Sequence, residues 1–560
     1  MIYATKHILI EILVRLPCNE IDKDFAIFVP PFQTGKNEVI MAKTIRRKFP
    51  IGIQSFKSLR QDNYLYVDKT ALVYELANSG KPFFLSRPRR FGKSLLLSTL
   101  EAYFRGQKEL FKGLAIEELE EEWLTYPVLH LDLNARKYST SQDLDAILNQ
   151  YLESWEKLYG TEKQDRAPEE RFMYQIQRAA ELTGHPVVVL VDEYDKPLLQ
   201  SLQDKELHQA YKETLKAFYG VLKSADQYLK FYLLTGVTKF GQVSVFSDLN
   251  QLKDISMDPH YNTLCGLTWQ EIADNFQPEL QLLGERNDLS PDEVRETMTR
   301  QYDGYHFMYG EEGIFNPFSV LNVLSDATFD DYWFKTGTPT FLIELLKKTD
   351  YDLRNLEGIQ LDVNSFADYR ADASRPIPVI YQSGYLTIKG YDKRFRLYTL
   401  GFPNDEVKYG FLNFITPFYS SVPAKDSAFY IGKFVNELES GDVNAFTTRL
   451  RAFFAGIPYE LKDKTERHYQ VIFYLVFRLM GQFTEAEVRN CKGRADAVVK
   501  TPDYIYVFEF KLEGTAEEAL AQIDDKGYLI PYTTDGKQLV KVGANFSAKE
   551  RNLEKWISIS

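Results

Sequence analysis

Cysteine is scarce in this chain of 560 residues, which has only Cys18, Cys265 and Cys491. The three lie far apart, and none belongs to a CxxC pair. This scarcity argues against a disulfide framework and against a zinc site, because both need clustered cysteines. The composition therefore indicates a reducing compartment, and we expect a cytoplasmic protein.

Long apolar runs are also missing. The segment 8–16 is apolar but contains Glu11 and Arg15. It is shorter than the roughly 20 residues that a membrane-spanning helix needs, and it lacks a small-residue cleavage site. We therefore expect neither an export signal nor a membrane partner.

An excess of basic charge is absent as well. The chain has 67 Lys and Arg against 79 Asp and Glu, a net charge of −12, so no global field draws nucleic acid to it. The charge is uneven, because residues 461–560 hold 15 residues of each sign. A neutral C-terminal part on an acidic body permits nucleic-acid binding there without requiring it.

Aromatic residues, by contrast, are plentiful. The 36 Tyr and 39 Phe, within a hydrophobic content of 44%, argue against disorder. A chain of this length is too long for one core, and typical domain sizes favour two to four domains.

A glycine-containing turn at Gly92 is the centre of the first candidate site. An apolar run at 82–85 leads into an Arg-rich turn, then into Gly92-Lys93-Ser94 and a Leu-rich helical segment. This order is typical of a phosphate-binding loop, whose unpaired backbone N–H groups favour anions. Lys93 would reach the β- and γ-phosphates of ATP, and the Ser94 hydroxyl would bind Mg²⁺.

The loop departs from the usual pattern in one respect, because Arg87 stands where the first glycine is expected. A basic surface turn before a helix is therefore an alternative interpretation. We count Arg90 among the nucleotide-binding residues. An arginine finger, if the protein has one, would come from Arg87, Arg89, Arg90 or a neighbouring subunit.

Three further apolar runs follow at 127–133, 186–191 and 231–237, separated by helical segments. The middle run, PVVVLV, is continuous rather than alternating, which is typical of a strand buried on both faces of a parallel sheet. Repeated strand–helix order predicts the α/β class: the parallel sheet of a P-loop NTPase with helices on both faces.

An acidic pair, Asp192-Glu193, ends the middle run. Nucleotide-binding α/β folds place metal-orienting and water-activating carboxylates at the carboxyl end of a buried strand. Asp192 would hold Mg²⁺ through water, and Glu193 would polarise the attacking water. Acidic residues are also common loop formers, which is the alternative. After the third run, Lys239 could sense the γ-phosphate or merely belong to a polar strand end.

The chain beyond residue 270 divides into two parts. Residues 271–420 are aromatic and irregular, without catalytic spacing, and predict a mostly helical middle region or lid in which 351–378 and 402–408 are loops. The last part predicts a helix over 465–480, three strands over 486–489, 495–500 and 504–512, a helix over 516–527 and a final strand over 539–543. The predicted domains are therefore an extension at 1–45, a possible start-site artefact before Met41, and units at 46–270, 271–420 and 421–560.

A second group of charged residues lies in the C-terminal part. Glu509 and Lys511 are two apart on one strand and share a face, whereas Phe508 and Phe510 face the other way. An even-numbered loop, Pro502-Asp503 alone or extended to 501–504, places Asp496 opposite Glu509.

Two neighbouring carboxylates repel each other unless a cation joins them, so this pair predicts a Mg²⁺ site. Lys511 would orient or deprotonate water and stabilise a pentavalent phosphate. Glu466 would complete the metal shell, and Gln522 would contact substrate. A solvated hairpin is the alternative, but charges in an otherwise apolar run are costly.

The segments RPRRFGKS, LVDEYDKP, TGVTKFGQVSVFSDLNQL and GRADAVV…YVFEFKL…ALAQIDDKGY together resemble a bacterial family of AAA-ATPase-like proteins with a C-terminal domain of the PD-(D/E)XK nuclease superfamily. The likeness runs from about residue 50 to the C-terminus. It implies a restriction-endonuclease-like α/β fold for the last domain. It further implies an ATP site at Lys93, Ser94, Asp192 and Glu193, and a nuclease core at Asp496, Glu509 and Lys511.

These observations predict a cytoplasmic ATPase that gates a Mg²⁺-dependent nuclease-like domain. The expected ligands are ATP and Mg²⁺, with DNA or RNA as a possible partner and a homo-oligomer as a possible state. The alternative is an NTP-driven signalling or scaffold protein whose nuclease-like domain binds nucleic acid without cleaving it. Substrate preference, trigger and oligomeric state stay open.

Overall fold

The computed structural model describes residues 47–80, 82–161, 166–202, 204–239, 251–335, 342, 346, 351–362, 365, 376–419, 424–455, 466–481, 483–488, 495–511, 514–547 and 552–560. The predicted extension at 1–45 lies outside these residues, as do Cys18 and Cys491. No helix in the described ranges is long and apolar enough to cross a membrane.

The first sheet has five parallel strands in the order β2-β3-β4-β1-β5. Every residue of β3 is buried, as the continuous run PVVVLV predicts. The strands are β1 (Pro82–Ser86), β2 (Val128–Asp132), β3 (Val187–Asp192), β4 (Leu229–Gly236) and β5 (Lys253–Asp254).

Eight helices accompany this sheet in the part of the chain that the structure describes. From β1 the chain crosses to β2 at the far edge and then returns through β3 and β4. Because such crossovers are right-handed, this reversal places the connecting helices on opposite faces, as the sequence predicts. The helices are α1 (Phe56–Gln61), α2 (Thr70–Asn78), α3 (Lys93–Phe104), α4 (Ile116–Leu119), α5 (Ser141–Tyr159), α6 (Pro168–Thr183), α7 (Lys196–Gln200) and α8 (Lys205–Ser224).

Local signals in the sequence set the helix boundaries. Helix α5 begins with a capping box in which Thr140 and Asp143 satisfy each other's backbone, and it ends at Gly160, whose φ is 92°. Helix α8 begins at Asp204, whose carboxylate accepts from two backbone N–H groups. The boundaries therefore follow from residue types that satisfy unpaired backbone groups.

The middle region is mostly helical, as predicted, with one antiparallel sheet in the order β6-β8-β7. The helices are α9 (Trp269–Asn275), α10 (Gln277–Asn287), α11 (Pro291–Tyr302), α12 (Pro317–Asp326), α13 (Tyr332–Lys335), α14 (Ile377–Gln382) and α15 (Asp405–Tyr419). The strands are β6 (Ile359–Asp362), β7 (Thr387–Asp392) and β8 (Leu397–Gly401).

The predicted loops at 351–378 and 402–408 are partly wrong. Strand β6 forms within the first, because its partner β8 lies some 40 residues later and cannot be recognised locally. Helix α14 also begins there, since Pro378 falls in its first turn, where proline is tolerated. Helix α15 begins within the second segment.

Within its described residues, the C-terminal part joins four helices to a five-stranded mixed sheet in the order β13-β12-β11-β10-β9. The helices are α16 (Ala424–Glu439), α17 (Val443–Ala455), α18 (Glu466–Met480) and α19 (Ala516–Asp525). The strands are β9 (Glu485–Val488), β10 (Ala497–Lys500), β11 (Tyr504–Lys511), β12 (Gln538–Ser547) and β13 (Asn552–Ile559).

The predicted order of elements in this part lacks its last strand. Strand β13 pairs antiparallel with β12 at the edge of the sheet. Its sequence, NLEKWISI, has Glu and Lys at its centre and so carries only a weak alternation of apolar residues. Exposed edge strands tolerate charges, which hides them from a periodicity search.

Candidate functional site

The turn between β1 and α3 has the backbone of a phosphate-binding loop. Gly92 has a φ of 93° and is followed directly by α3, which begins at Lys93. Glycine adopts this left-handed conformation without strain. The Lys93 side chain is buried, and its Nζ donates to the carbonyl oxygens of Arg87 at 2.9 Å and Pro88 at 3.2 Å. The ammonium group therefore lies inside the curve of the loop, near the N-terminus of α3.

Arg87 stands where the first glycine is expected, and its side chain fixes the loop to residues that follow β5. Its guanidinium donates to the carbonyl oxygens of Ser256 at 2.7 Å and Tyr261 at 3.2 Å, and stacks 3.9 Å from the centre of the Phe307 ring. The side chain is 1% exposed, and burial lowers its pKa. In this structure Arg87 fixes the loop to the segment after β5, a role that the sequence analysis missed, and a finger role stays a prediction.

Arg89 and Arg90 carry the loop into contact with the middle region. The Trp333 indole Nε1 donates to the Arg89 carbonyl oxygen at 3.2 Å, and the Arg90 guanidinium lies 4.1 Å from the centre of the Phe318 ring. Burial, and then the neighbouring Arg89, lower the pKa of Arg90. Middle-region side chains therefore contact both sides of the loop.

The predicted acidic pair lies beside the loop. Asp192 ends β3, and its Oδ1 accepts from the Thr235 hydroxyl of β4 at 2.8 Å. Glu193 has a φ of 49°, and burial raises its pKa, with Lys93 acting in the opposite direction. Because β4 lies between β1 and β3, their carboxyl ends meet at one edge of the sheet. Lys93, Asp192 and Glu193 therefore belong to one site, and Ser94 lies partly exposed one residue into α3.

Asp195 is a further charged group at this edge that the sequence analysis missed. It is 1% exposed and accepts from the backbone N–H groups of Val237 at 3.1 Å and Thr238 at 2.6 Å. A Cβ at Gly236 would lie 2.6 Å from its Oδ1, so only glycine fits there. Burial raises the pKa of Asp195. This carboxylate fixes the backbone that follows β4.

Lys239, the candidate γ-phosphate sensor, is engaged elsewhere. Its Nζ lies 2.8 Å from Asp254 Oδ2, and its backbone N–H donates to Gln382 Oε1 at 2.9 Å. The side chain is buried. In this structure Lys239 joins the ATPase-like sheet to helix α14, and a sensor role stays a prediction.

In the C-terminal sheet, the pairing of β10 with β11 has the predicted register. Ala497 pairs with Phe508 and Lys500 pairs with Ile505, so the same register puts Asp496 opposite Glu509. Asp496 itself precedes the strand, and its Oδ2 accepts from the Phe510 backbone N–H at 2.8 Å. The even-loop argument is confirmed.

Glu509 is buried beside this second carboxylate. The residue is only 3% exposed. Burial, and then the nearby Asp496, raise the pKa of its carboxyl to about 7, whereas Lys511 acts to lower this pKa. The Lys511 Nζ lies 3.5 Å from Glu509 Oε1. The charge-bearing face of β11 is therefore a place where negative charge is costly without a cation.

Gln522 of α19 bridges the two charged residues of β11. Its amide donates to Glu509 Oε1 and accepts from the Lys511 ammonium, which positions both side chains. The Tyr528 hydroxyl, 3.4 Å from Gln522 Nε2, extends the group and was missed in the sequence. Glu509 Oε2 is buried, and none of the described residues hydrogen-bonds to it. An orphaned carboxylate oxygen next to a second carboxylate fits a divalent cation.

The described residues contain no group of three or more His, Cys, Asp or Glu arranged to hold a metal ion. The side chain of Glu466, the third predicted ligand, lies outside the described part of the chain. Mg²⁺ usually keeps several waters and binds through one or two carboxylates, so Asp496 and Glu509 alone are compatible with it.

The strand order and the two candidate sites define a P-loop-type α/β domain joined to a nuclease-like domain. A family model for a predicted AAA-ATPase matches residues 50–246, and a model for the PD-(D/E)XK nuclease superfamily matches residues 464–556. An uncharacterized protein in the vnfD 5′ region of Azotobacter chroococcum mcd 1 is 36% identical over 524 residues, which are 91% of this chain and 98% of that protein. The chain belongs to this family of AAA-ATPase-like proteins with a C-terminal nuclease superfamily domain.

A solved structure of the ORC2 protein from Aeropyrum pernix, in ADPNP and ADP complexes, is also similar. It covers 60% of this chain and 92% of its own, at 12% identity and a TM-score of 0.18.

Glu406, outside both sites, connects the loop to the middle region. Its Oε1 accepts from the Trp333 backbone N–H at 2.6 Å, and its Oε2 accepts from the Ser319 hydroxyl at 2.7 Å. The residue is 3% exposed, and burial raises the pKa of this carboxyl to about 8. The raised pKa favours the protonated carboxyl group at neutral pH in the folded protein.

We expect Glu406 to make stability fall as pH rises. Between the ordinary pKa of 4.5 and the folded pKa of about 8, the carboxyl ionises more readily in the unfolded chain. The unfolded state then binds fewer protons, so this group lowers stability by up to about 1.4 kcal/mol per pH unit. Glu406→Gln keeps the shape without the charge, since the Ser319 hydroxyl can accept from the new amide. The melting temperature of Glu406→Gln minus that of wild type should increase as pH rises from 5.5 to 7.5. A difference that does not change with pH would contradict the raised pKa of Glu406.

Proposed function

We propose that the N-terminal sheet binds and hydrolyses ATP. Lys93 holds the β- and γ-phosphates, the backbone N–H groups at the start of α3 bind phosphate oxygens, and Glu193 orients the attacking water. Arg90 contacts the nucleotide from the other side of the loop. The observation that carries this proposal is the meeting of Lys93, Asp192 and Glu193 at one edge of the sheet, where Lys93 opposes the rise in the Glu193 pKa.

We propose that the C-terminal domain hydrolyses phosphodiester bonds of DNA or RNA. Lys511 orients or deprotonates the water and stabilises the charge that develops on the phosphate, and Gln522 holds Lys511 against Glu509. Ser94 and Asp192 would hold Mg²⁺ in the first site, and Asp496 and Glu509, with Glu466, in the second. Bound Mg²⁺ would activate water and neutralise phosphate charge. The orphaned, buried Glu509 Oε2 carries this part of the proposal.

We further propose that nucleotide binding controls the nuclease-like site through the middle region. Trp333 contacts the loop through the Arg89 carbonyl oxygen and holds Glu406 at the start of α15. Helix α15 packs against α18, and its Tyr409 hydroxyl donates to the Gly481 carbonyl oxygen at 2.6 Å. Packed elements that change together can transmit such a signal.

The last step of this route reaches the catalytic strand. Phe473 of α18 lies 4.2 Å from Phe510 between ring centres, and Phe477 lies 5.1 Å from Phe508. Phe508 and Phe510 alternate with Glu509 and Lys511 on β11, so a shift of α18 would move the strand that carries the site. This chain of contacts supports control of the nuclease-like site through packed side chains of the same molecule.

The function is tested by a matrix of Mg²⁺ and ATP, each present or absent, against supercoiled plasmid, linear DNA and RNA. Wild type should cleave a substrate only with Mg²⁺, faster with ATP, and Lys511→Ala should not cleave. If wild type binds nucleic acid with ATP but cleaves none of the three, the alternative scaffold function is supported instead.

Trp333→Phe tests the proposed control. The change removes the indole N–H that donates to Arg89 but keeps an aromatic ring against Tyr385. We expect ATP hydrolysis within a few-fold of wild type and loss of most of the stimulation of cleavage by ATP. The control is Trp269→Phe, a partly buried middle-region tryptophan that packs in a separate cluster. Full ATP stimulation in Trp333→Phe would exclude this contact as the route.

A further inference from the structure

A β-hairpin in the middle region ends in an exposed basic and aromatic tip. Strands β7 and β8 are joined by residues 393–396, which read Lys-Arg-Phe-Arg. The turn is well fixed, because Asp392 Oδ1 accepts from the backbone N–H groups of Arg394 at 2.8 Å and Phe395 at 3.1 Å. Such a turn fixes the backbone of the tip before any partner arrives.

Phe395, at the tip, is 61% exposed and lies among residues that are all exposed from 392 to 396. It is more exposed than Phe483 at 50% or Tyr309 at 43%. The Arg394 guanidinium lies over its ring, 4.9 Å from the ring centre, which leaves the opposite face of the ring for a base. The hairpin therefore presents a flat apolar ring to solvent next to cations.

The charge of this tip is opposite to that of the whole chain. The four residues 393–396 include three cations, Lys393, Arg394 and Arg396, whereas the whole chain has a net charge of −12. Among the described residues, none of the three side chains forms an ion pair. Asp392 is the single acidic residue of the tip, and it is used by the turn. The three cations are thus available to an anionic partner.

We propose that this hairpin tip binds a nucleic-acid strand, with the three cations on successive phosphates and the Phe395 ring stacked on an unpaired base. Cations clustered around an exposed aromatic ring supply the two contacts that single strands make with proteins, charge to phosphate and ring to base. The proposal rests on the proposed function, since it supplies the electrostatic attraction that the neutral C-terminal hundred residues lack.

The base of the hairpin touches the phosphate-binding loop. A Cβ at Gly384, just before β7, would lie 2.6 Å from the Pro88 side chain, so the two backbones approach closely. The Thr387 hydroxyl at the start of β7 accepts from the His306 backbone N–H at 2.7 Å. The segment that leads into the hairpin therefore packs directly against the phosphate-binding loop.

The test is fluorescence anisotropy of full-length protein with a labelled single-stranded 20-mer, in Mg²⁺-free buffer with ATP, over a range of salt concentrations. Replacing Lys393, Arg394 and Arg396 by Gln should lower the slope of log affinity against log salt by about 2, since each phosphate contact contributes about 0.7. Phe395→Ala should weaken binding by about 5- to 150-fold and leave the slope unchanged, because stacking is apolar.

Matched controls have the same chemistry on another exposed surface. Replacing Lys57, Lys112 and Lys137 by Gln removes the same charge, and Leu158→Ala removes a side chain of a residue that is 70% exposed. Both should bind like wild type, and all variants should keep the wild-type melting temperature. A wild type that binds while both hairpin variants bind equally well overturns the hairpin but not the nuclease proposal. A wild type that binds no single strand, but binds an anionic vesicle or an acidic peptide, overturns the hairpin proposal, whereas the nuclease proposal is decided separately by the cleavage matrix with plasmid and linear DNA.

Discussion

Lys93→Ala protein is expected to lose nucleotide binding altogether on the scale of isothermal titration calorimetry. The Lys93 ammonium lies inside the loop against the carbonyl oxygens of Arg87 and Pro88, where ATP phosphates would replace them. Removing it leaves the phosphates without their main cation and the loop carbonyls without a donor. Turnover should fall by more than a hundredfold.

Two variants separate this prediction from general damage. Glu193→Gln should bind ATP about as well as wild type and hydrolyse it slowly, because it keeps the loop and loses the group that orients water. Lys112→Ala, on an exposed surface of the same half of the chain, should bind and hydrolyse ATP like wild type. ATP binding by Lys93→Ala at wild-type affinity would rule out the loop as the nucleotide site.

Asp496→Asn protein is expected to lose metal-dependent cleavage while keeping its fold and its ATPase activity. The amide oxygen can still accept from the Phe510 N–H, but one of the two carboxylates that would hold Mg²⁺ is gone. Without metal the change relieves repulsion of Glu509, whose pKa is raised by burial and then by Asp496. The melting temperature in chelator should therefore stay level or rise.

The matched control is Asp503→Asn, in the exposed turn of the same hairpin. It makes the same chemical change without touching the site, so it should cleave like wild type. Undiminished cleavage by Asp496→Asn would exclude this pair as the metal site. Loss of ATPase activity in the same variant would show that the change acts through the fold.

The sequence predicts those parts of the fold and of the sites that depend only on residues close together in the chain. Gly92-Lys93-Ser94 before a Leu-rich segment predicts a loop and helix, and a continuous apolar run predicts the fully buried β3. The opposition of Asp496 and Glu509 follows from a two-residue period and an even loop, and needs no tertiary information.

Other features depend on partners far along the chain. The role of Arg87 is set by carbonyl groups some 170 residues later, at Ser256 and Tyr261. Glu406 acquires its raised pKa because three separate helices bury it, in a region without catalytic spacing. Edge strand β13 has too little alternation to be recognised alone. Such residues become visible only when the topology brings their partners together.

The contact between loop and middle region suggests why the first glycine is dispensable here. A glycine would leave space behind the loop, whereas Arg87 fills it and ties β1 to the segment after β5 and to Phe307. The loop is consequently part of an interface with the middle region. Binding of phosphate in the loop would then change the contacts that the loop makes with Phe307 and with Trp333.

The most direct test of nucleotide control is the rate of Mg²⁺-dependent cleavage by Lys93→Ala, measured with and without ATP beside wild type on the substrate found in the matrix. The residues Asp496, Glu509 and Lys511 are untouched in this variant. Control through the loop predicts that its rate stays at the wild-type level seen without ATP and does not respond to added ATP. Cleavage by Lys93→Ala that ATP stimulates as in wild type would contradict the account.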